Sequence, residues 1–224
     1  MNVVSLDGVP SIETDPTEEP DLYVYLGRVG GHLHLLLPGE AEGVTSTSKQ
    51  RQEEFASGRR LAHFALENAG SNERAVLRLD RRPIWPENFL GSISHSDHLA
   101  ACALAETSNY QGVGVDLAKV SAVSEYVANR VLSEKERLWI RNAGSNEWRT
   151  ALFSAKEAIY KSINPITNEY LGFRDVEIEV ASDALTFCAT TLEEKDSTPI
   201  LTEGRGYFHR VSGHWMTTFV VERS

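Results

Sequence analysis

The sequence predicts an α+β fold of two similar lobes related by pseudo-twofold symmetry, each a small antiparallel sheet packed with helices. Three observations carry this expectation: strand-like runs toward both ends of the chain, two strongly periodic helical stretches, and a strand, helix, strand order that occurs twice and meets near residue 110. No sequence repeat accompanies the duplication, so element order alone supports it.

Residues 1–20 combine Asp7, Glu13, Asp15, Glu18 and Glu19 with Pro10, Pro16 and Pro20. Such a composition orders poorly by itself, so a flexible N-terminal arm is expected there. The first lobe, residues 21–110, opens with strand-forming runs at 23–26 and 32–37, and Gly30-Gly31 between them reads as a hairpin turn. Over residues 50–68, Phe55, Leu61, Ala62, Ala65 and Leu66 recur at helical spacing and Ala69-Gly70 provides the stop. Further strands are expected at 75–79, 92–94 and 99–105. The second lobe, residues 111–224, begins with a strand at 113–117 whose small residues permit close backbone approach. Ser133 followed by Glu136 forms a capping box just ahead of Leu138, Trp139 and Ile140. The strongest helix covers 147–163, with Trp148, Leu152, Ala155, Ala158, Ile159 and Ser162 on one face and Asn164-Pro165 as its end. Alternation returns at 176–180, and runs at 185–189, 206–211 and 215–221 complete a terminal set of antiparallel strands.

A chain of 224 residues is long enough to bury its own cores, and 41% hydrophobic with 24% charged residues is ordinary for globular domains. No apolar run approaches the roughly 18 residues needed to cross a bilayer, and the N-terminus lacks a basic-then-apolar signal pattern, so no membrane span and a cytoplasmic location are expected. Cys102 and Cys188 each lie within an apolar run and read as buried free thiols. With 22 Lys and Arg against 32 Asp and Glu, the net charge of -10 argues against wide nucleic-acid contact. A small anionic ligand is still compatible, because local basic residues can focus a field inside a cleft.

Three segments carry chemistry. On the strong helix, Glu157 and Lys161 stand four apart and project on one side. Taken alone, they read as a solvated pair worth about 0.2–0.5 kcal/mol. Asp116 follows an apolar strand bounded by Gly112 and Gly114, where a carboxylate is awkward unless it ends in solvent, caps a turn or holds a cation. In Gly91-Ser92-Ile93-Ser94-His95-Ser96, a short strand delivers hydroxyls and an imidazole together; its plain reading is a turn whose serines bond the local backbone.

Taken in chain order, the three segments resemble the signature of the 4'-phosphopantetheinyl transferases of the surfactin- and enterobactin-synthesis type. That family has a Ser-Ile-Ser-His-like strand, a Gly-Val-Asp strand and a helix with a Lys-Glu-Ala-x-x-x-Lys pattern, seen here as Phe153-Ser154-Ala155-Lys156-Glu157-Ala158-Ile159-Tyr160-Lys161. The likeness covers residues 55–161: Phe55-Ala56-Ser57-Gly58-Arg59-Arg60-Leu61-Ala62 is similar to the family's first helix, and Arg82-Pro83-Ile84-Trp85-Pro86 to the loop before the Ser-His strand. The resemblance implies a holo-carrier-protein synthase that moves the 4'-phosphopantetheine moiety of coenzyme A to a serine hydroxyl of an apo acyl or peptidyl carrier protein. Adenosine 3',5'-bisphosphate is released, and the carriers are those of nonribosomal peptide, polyketide or siderophore synthesis.

Mg²⁺ suits such a reaction because it takes one or two protein carboxylates and completes its octahedron with water and substrate phosphate. The resemblance makes Asp116 and Glu157 those carboxylates, in the groove separating the lobes. It assigns Lys161 to the phosphates and the leaving group, with Lys156 in the same field, Ser94 and His95 to the pyrophosphate, and Arg59 with Arg60 to the 3'-phosphate or adenine end. For the base that takes the serine proton, Glu157 and a metal-held water both stay open. Both halves of this site belong to one chain, so a monomer is expected.

Bacterial members often read Gly-x-Asp-x-Glu, whereas Asp116-Leu117-Ala118 offers no third carboxylate. This departure motivates an alternative, a homologue that binds coenzyme A or a carrier with little or no transferase activity. Phe153 stands where many relatives carry Trp. Other signals are weaker. His32 and His34 share one strand face but lack a third metal ligand nearby. Gly112-Val113-Gly114 lacks the third glycine of a dinucleotide fingerprint. Ser94 or Ser96 beside His95 cannot easily form a nucleophile and base, because adjacent strand residues point to opposite faces. Trp85, Trp139, Trp148 and Trp215 read as core or interlobe packing.

Overall fold

The computed structural model describes residues 1–10, 19, 21–42, 44, 46–79, 82–181 and 185–223. The chain divides into two compact units, Met1–Tyr110 and Gln111–Ser224.

In the first unit, β1 (Asn2–Ser5), β2 (Tyr23–Arg28), β5 (Phe89–Ser96) and β6 (Leu99–Glu106) form a sheet in the order β1-β2-β6-β5. The long helix α1 (Lys49–Asn68) packs on it through Leu61, Ala62, Ala65 and Leu66, which meet Tyr25, Ala100, Cys102 and Leu104. Ser48 starts the helix by accepting a hydrogen bond from the Arg51 amide, as an N-cap serine does. Gly58 lets α1 approach β5 closely, since a Cβ there would lie 2.5 Å from Ile93 Cγ2. A two-stranded hairpin, β3 (Leu77–Leu79) with β4 (Arg82–Ile84), lies between α1 and β5 in the chain.

Two expectations for this unit need correction. Within the arm expected over 1–20, residues 2–5 are a strand paired in parallel with β2, and Met1 and Val9 are buried. The β-branched Val3 and Val4 suit a strand. Just beyond it, the Asp7 carboxylate ties the chain down by accepting two hydrogen bonds from Arg60, at 2.6 and 2.8 Å, and one from the Arg28 amide. Residues 11–18 and 20 of that arm lie outside the described residues. The second correction is at 32–37, where a 3₁₀ turn over Leu33–Leu35 with exposed leucines replaces the expected strand. Gly30 and Gly31 do adopt the left-handed φ that their turn reading requires.

Glu40 ties the segment after this turn to α1. Its buried carboxylate meets His63 Nε2 at 2.7 Å and accepts from the Leu37 and Val76 amides, both at 2.8 Å. Burial alone would push its pKa up, but these hydrogen bonds outweigh it and hold the acid below its ordinary value.

The second unit holds a five-stranded sheet in the order β7-β11-β10-β9-β8, from β7 (Tyr110–Lys119), β8 (Val176–Val180), β9 (Thr186–Thr191), β10 (Arg205–Val211) and β11 (His214–Glu222). Helices α2 (Glu125–Val131), α3 (Glu134–Ala143), α4 (Trp148–Thr167) and α5 (Thr198–Glu203) complete it. Helix α4 supplies Ala151, Leu152, Ala155, Ala158, Ile159 and Ile163 to the core, against Phe187, Phe208, Trp215 and Phe219 of the sheet. Trp148 is the hub of an aromatic group, with ring centroids 4.9 Å from Trp139, 5.3 Å from Phe208 and 5.0 Å from Trp215. The capping box at Ser133 and Glu136 is present.

Here too the sequence reading is corrected twice. Helix α4 continues through Pro165 and ends at Asn168, whose φ of 54° is left-handed. A proline in the last turn costs one backbone bond there, less than the turn's packing supplies. Cys102 is buried as expected, but Cys188 is exposed, because on β9 Phe187 and Ala189 take the buried face.

Candidate active site

The site in the second unit begins with two glycines. On β7, residues 112, 114, 116 and 118 share one face, and a Cβ on Gly114 would lie 1.9 Å from the Ala158 carbonyl oxygen, one on Gly112 2.7 Å from Ser162 Oγ. Helix α4 answers with a stripe of small residues one turn apart, Ser154, Ala158 and Ser162. Strand and helix therefore touch backbone to backbone, and the next residue on that strand face, Asp116, is delivered against α4.

Asp116 is 7% exposed, and both carboxylate oxygens are engaged. Oδ1 accepts from Lys161 Nζ at 2.8 Å, and Lys161 also donates to the Val115 carbonyl at 3.1 Å. Oδ2 accepts from Ser154 Oγ at 2.8 Å. With its proton given to Asp116, Ser154 accepts from Thr217 on β11, again at 2.8 Å. Glu157 lies half-buried on the same side of α4 as Lys161. Its pKa is raised, first by burial and then by the nearby Asp116 charge, while Lys161 pulls the other way. Glu157 makes no hydrogen bond or ion pair among the described residues. Two neighbouring carboxylates beside one ammonium form an oxygen-donor set suited to a hard divalent cation such as Mg²⁺. Ala118, buried on the same strand face, contributes no oxygen.

Lys156 does not join this group. Its Nζ lies 2.9 Å from Glu136 Oε2 and donates to the carbonyls of Phe173 and Val176, both at 2.7 Å, and of Val131 at 3.3 Å. At 3% exposure, it is consumed by the core and is withdrawn from the ligand-binding set that the resemblance implied.

The four remaining candidates belong to the first unit. Arg59 is buried, its guanidinium 4.4 Å over the Phe55 ring and Nη2 3.3 Å from the Leu77 carbonyl, and burial lowers its pKa to about 10. Arg60 is held by Asp7, an ion pair that keeps the Asp7 carboxyl below its ordinary value. His95 receives a hydrogen bond at Nε2 from Arg51 and faces Glu54 with Nδ1 at 3.3 Å. A proton on Nδ1 satisfies both partners. Ser94 is buried on the opposite face of β5, so Ser94 and His95 do not work side by side.

The structure thus brings Asp116, Glu157 and Lys161 together in one unit, and Arg51, Glu54 and His95 together in the other. Ser154, Thr217, Arg51 and Glu54 are additions to the sequence reading. Only Ser154, inside the helix motif, and the i,i+3 pair Arg51 and Glu54 had a local signal.

Comparison with known proteins covers both units. Residues 39–105 match the family model described as the 4'-phosphopantetheinyl transferase N-terminal domain, and residues 112–214 match that of the 4'-phosphopantetheinyl transferase superfamily. The chain is 32% identical over 143 residues to 4'-phosphopantetheinyl transferase Npt of Nocardia iowensis, covering 63% of this chain and 64% of the relative. It is 32% identical over 165 residues to 4'-phosphopantetheinyl transferase Svp of Streptomyces mobaraensis, covering 71% and 67%. Enterobactin synthase component D of Salmonella typhi is 36% identical over 138 residues, covering 59% and 56%. The chain spans about two thirds or less of the length of these curated relatives. No helix among the described residues is long and apolar enough to cross a membrane. Matches in both units, together with the Asp116, Glu157 and Lys161 cluster, identify this chain as a member of the 4'-phosphopantetheinyl transferase superfamily.

Proposed function

We propose that the chain transfers the 4'-phosphopantetheine moiety of coenzyme A to a serine hydroxyl of an apo acyl or peptidyl carrier protein. The observation that carries this reading is the meeting of Asp116, Glu157 and Lys161 on the seam between β7 and α4. In the reaction the serine oxygen attacks the phosphorus on the pantetheine side of the pyrophosphate. The bond from that phosphorus to the bridging oxygen breaks, and adenosine 3',5'-bisphosphate departs. Asp116 and Glu157 are the residues that would hold Mg²⁺, which when bound supplies positive charge to the diphosphate.

The chain's own groups do the rest. Glu157, held on α4 beside Asp116, takes the proton from the serine hydroxyl. Lys161 turns from Asp116 toward the departing phosphate and donates to the oxygen that gains charge. Ser154 and Thr217 keep Asp116 oriented. In the first unit, Arg60 and Arg51, the latter beside His95, supply donors for the anionic ends of coenzyme A. We place the protein in the cytoplasm as a monomer with no nucleic-acid partner, on the strength of its net charge and of having both residue groups in one chain.

Incubation with coenzyme A, Mg²⁺ and a panel of apo carriers tests the reading: a competent carrier gains about 340 Da by mass spectrometry, the mass of the transferred arm. Coenzyme binding without an adduct on any carrier supports instead a binding homologue, the reading that the missing oxygen at Ala118 favours.

A further inference from the structure

We propose that Lys156 is a positioning residue for the transfer: its buried bonds to Glu136 and three carbonyls fix the roll of α4 about its axis and so aim Glu157 and Lys161 at Asp116. The inference rests on the function proposed above. At about 100° per residue, Lys156 points about 140° around the helix from Lys161 and about 160° from Ser154, so it leaves α4 on nearly the opposite side from the acidic cluster. There it is bound by four separate pieces of chain: Glu136 on α3, Val131 at the end of α2, Phe173 in the loop after α4, and Val176 at the start of β8.

Glu136 is itself buried and held at both carboxylate oxygens. Its Oε2 accepts from the Ser133 amide at 2.7 Å and its Oε1 from the Ile178 amide at 2.9 Å, so the anchor is tied to both the N-terminus of α3 and the sheet. On the other side of α4, the contact of Ala158 and Ser162 with Gly112 and Gly114 sets how near the helix lies to β7. A contact between small groups limits approach, yet it has no side-chain arm to resist turning. Ser154 and Lys161 bond to β7 from the near side of the helix, and the directional bonds that oppose rotation from the far side are those of Lys156. A carboxylate carried about 6 Å from the helix axis moves about 1 Å for each 10° of roll. A misplacement of about 1 Å can cost about a hundredfold in rate.

The test compares the full wild-type chain with Lys156→Met and, because that change leaves Glu136 buried without its partner, with the double variant Lys156→Met/Glu136→Gln. Folding is read by near-UV circular dichroism, transfer by the kinetics of carrier modification, and the acidic cluster directly by Mn²⁺ affinity from electron paramagnetic resonance without coenzyme A or carrier. The expected result is a folded variant whose kcat falls about thirtyfold or more, with the KM for coenzyme A within about threefold of wild type and Mn²⁺ affinity about tenfold weaker. A folded variant with unchanged kcat and Mn²⁺ affinity overturns the proposal. So does loss of folding in both variants, which gives the network a structural role alone. If wild type modifies no carrier yet binds Mn²⁺, the transferase reading fails while the Mn²⁺ comparison still decides for or against Lys156; a wild-type chain that does neither sinks both.

Discussion

The two long helices, α1 and α4, use their charges in opposite ways. On α1 the cations expected to meet an anionic ligand already have acids beside them: Arg60 holds Asp7 through two hydrogen bonds, and Arg51 shares Glu54 with His95. On α4, Glu157 lacks a hydrogen-bonding partner among the described residues, and burial first and then the Asp116 charge raise its pKa. The lesson is that one unit presents positive groups whose neutralisation is supplied from within, whereas the other presents negative groups whose neutralisation is left to what binds. An incoming phosphate must therefore displace the carboxylates that pair with the α1 cations, but a cation entering beside α4 relieves a repulsion already present.

The sharpest way to break this contrast is to remove the acids. Asp116→Ala and Glu157→Ala are each expected to lower the transfer rate by about a thousandfold, measured by carrier mass gain over time. A loss of under threefold reduces the cluster to a structural ion pair between Asp116 and Lys161. Next come the glycines by which each helix meets its sheet. Gly114→Ala drives a Cβ into the Ala158 carbonyl at 1.9 Å, whereas Gly58→Ala meets a side-chain methyl, Ile93 Cγ2, at 2.5 Å. Urea unfolding is expected to show about 3 kcal/mol lost for the first and about 1 kcal/mol for the second; equal costs remove the distinction between the two seams.

A smaller effect is expected at Asp7. Asp7→Asn frees Arg60, so calorimetry should find coenzyme A binding about threefold tighter, and weaker binding shows that Asp7 orients Arg60 rather than competing for it. The mildest effect concerns acid. The Glu40 pKa is depressed in the fold, so its stabilisation is fully present above the unfolded value near 4.5 and is lost as pH falls through the lower folded value. Thermal melts of wild type should therefore decline below pH 4.5, and Glu40→Gln should flatten that part of the decline.

Much of this was legible in the residues themselves. The small residues around 113–117, the capping box at Ser133 and the apolar stripe of α4 are local signals, and each led to the element found. What escaped depends on partners distant in sequence. β1 exists because it pairs with β2 some twenty residues on, and short-range pattern cannot report a parallel pairing of that kind. Lys156 belongs to the same motif as Glu157 and Lys161, and nothing in that motif reveals that Glu136, twenty positions earlier, takes it away. Ser94 and His95 show the reverse case: strand alternation already separated their faces, and the family resemblance had drawn them together.

If the acid on α4 takes up a divalent cation as proposed, folding and cation loading become one linked equilibrium. A divalent ion that binds only the native chain adds about 2.7 kcal/mol of stability at a hundred times its Kd. Chelation would then withdraw that support from the second unit, so the resistance of the protein to heat would track the supply of metal in its surroundings.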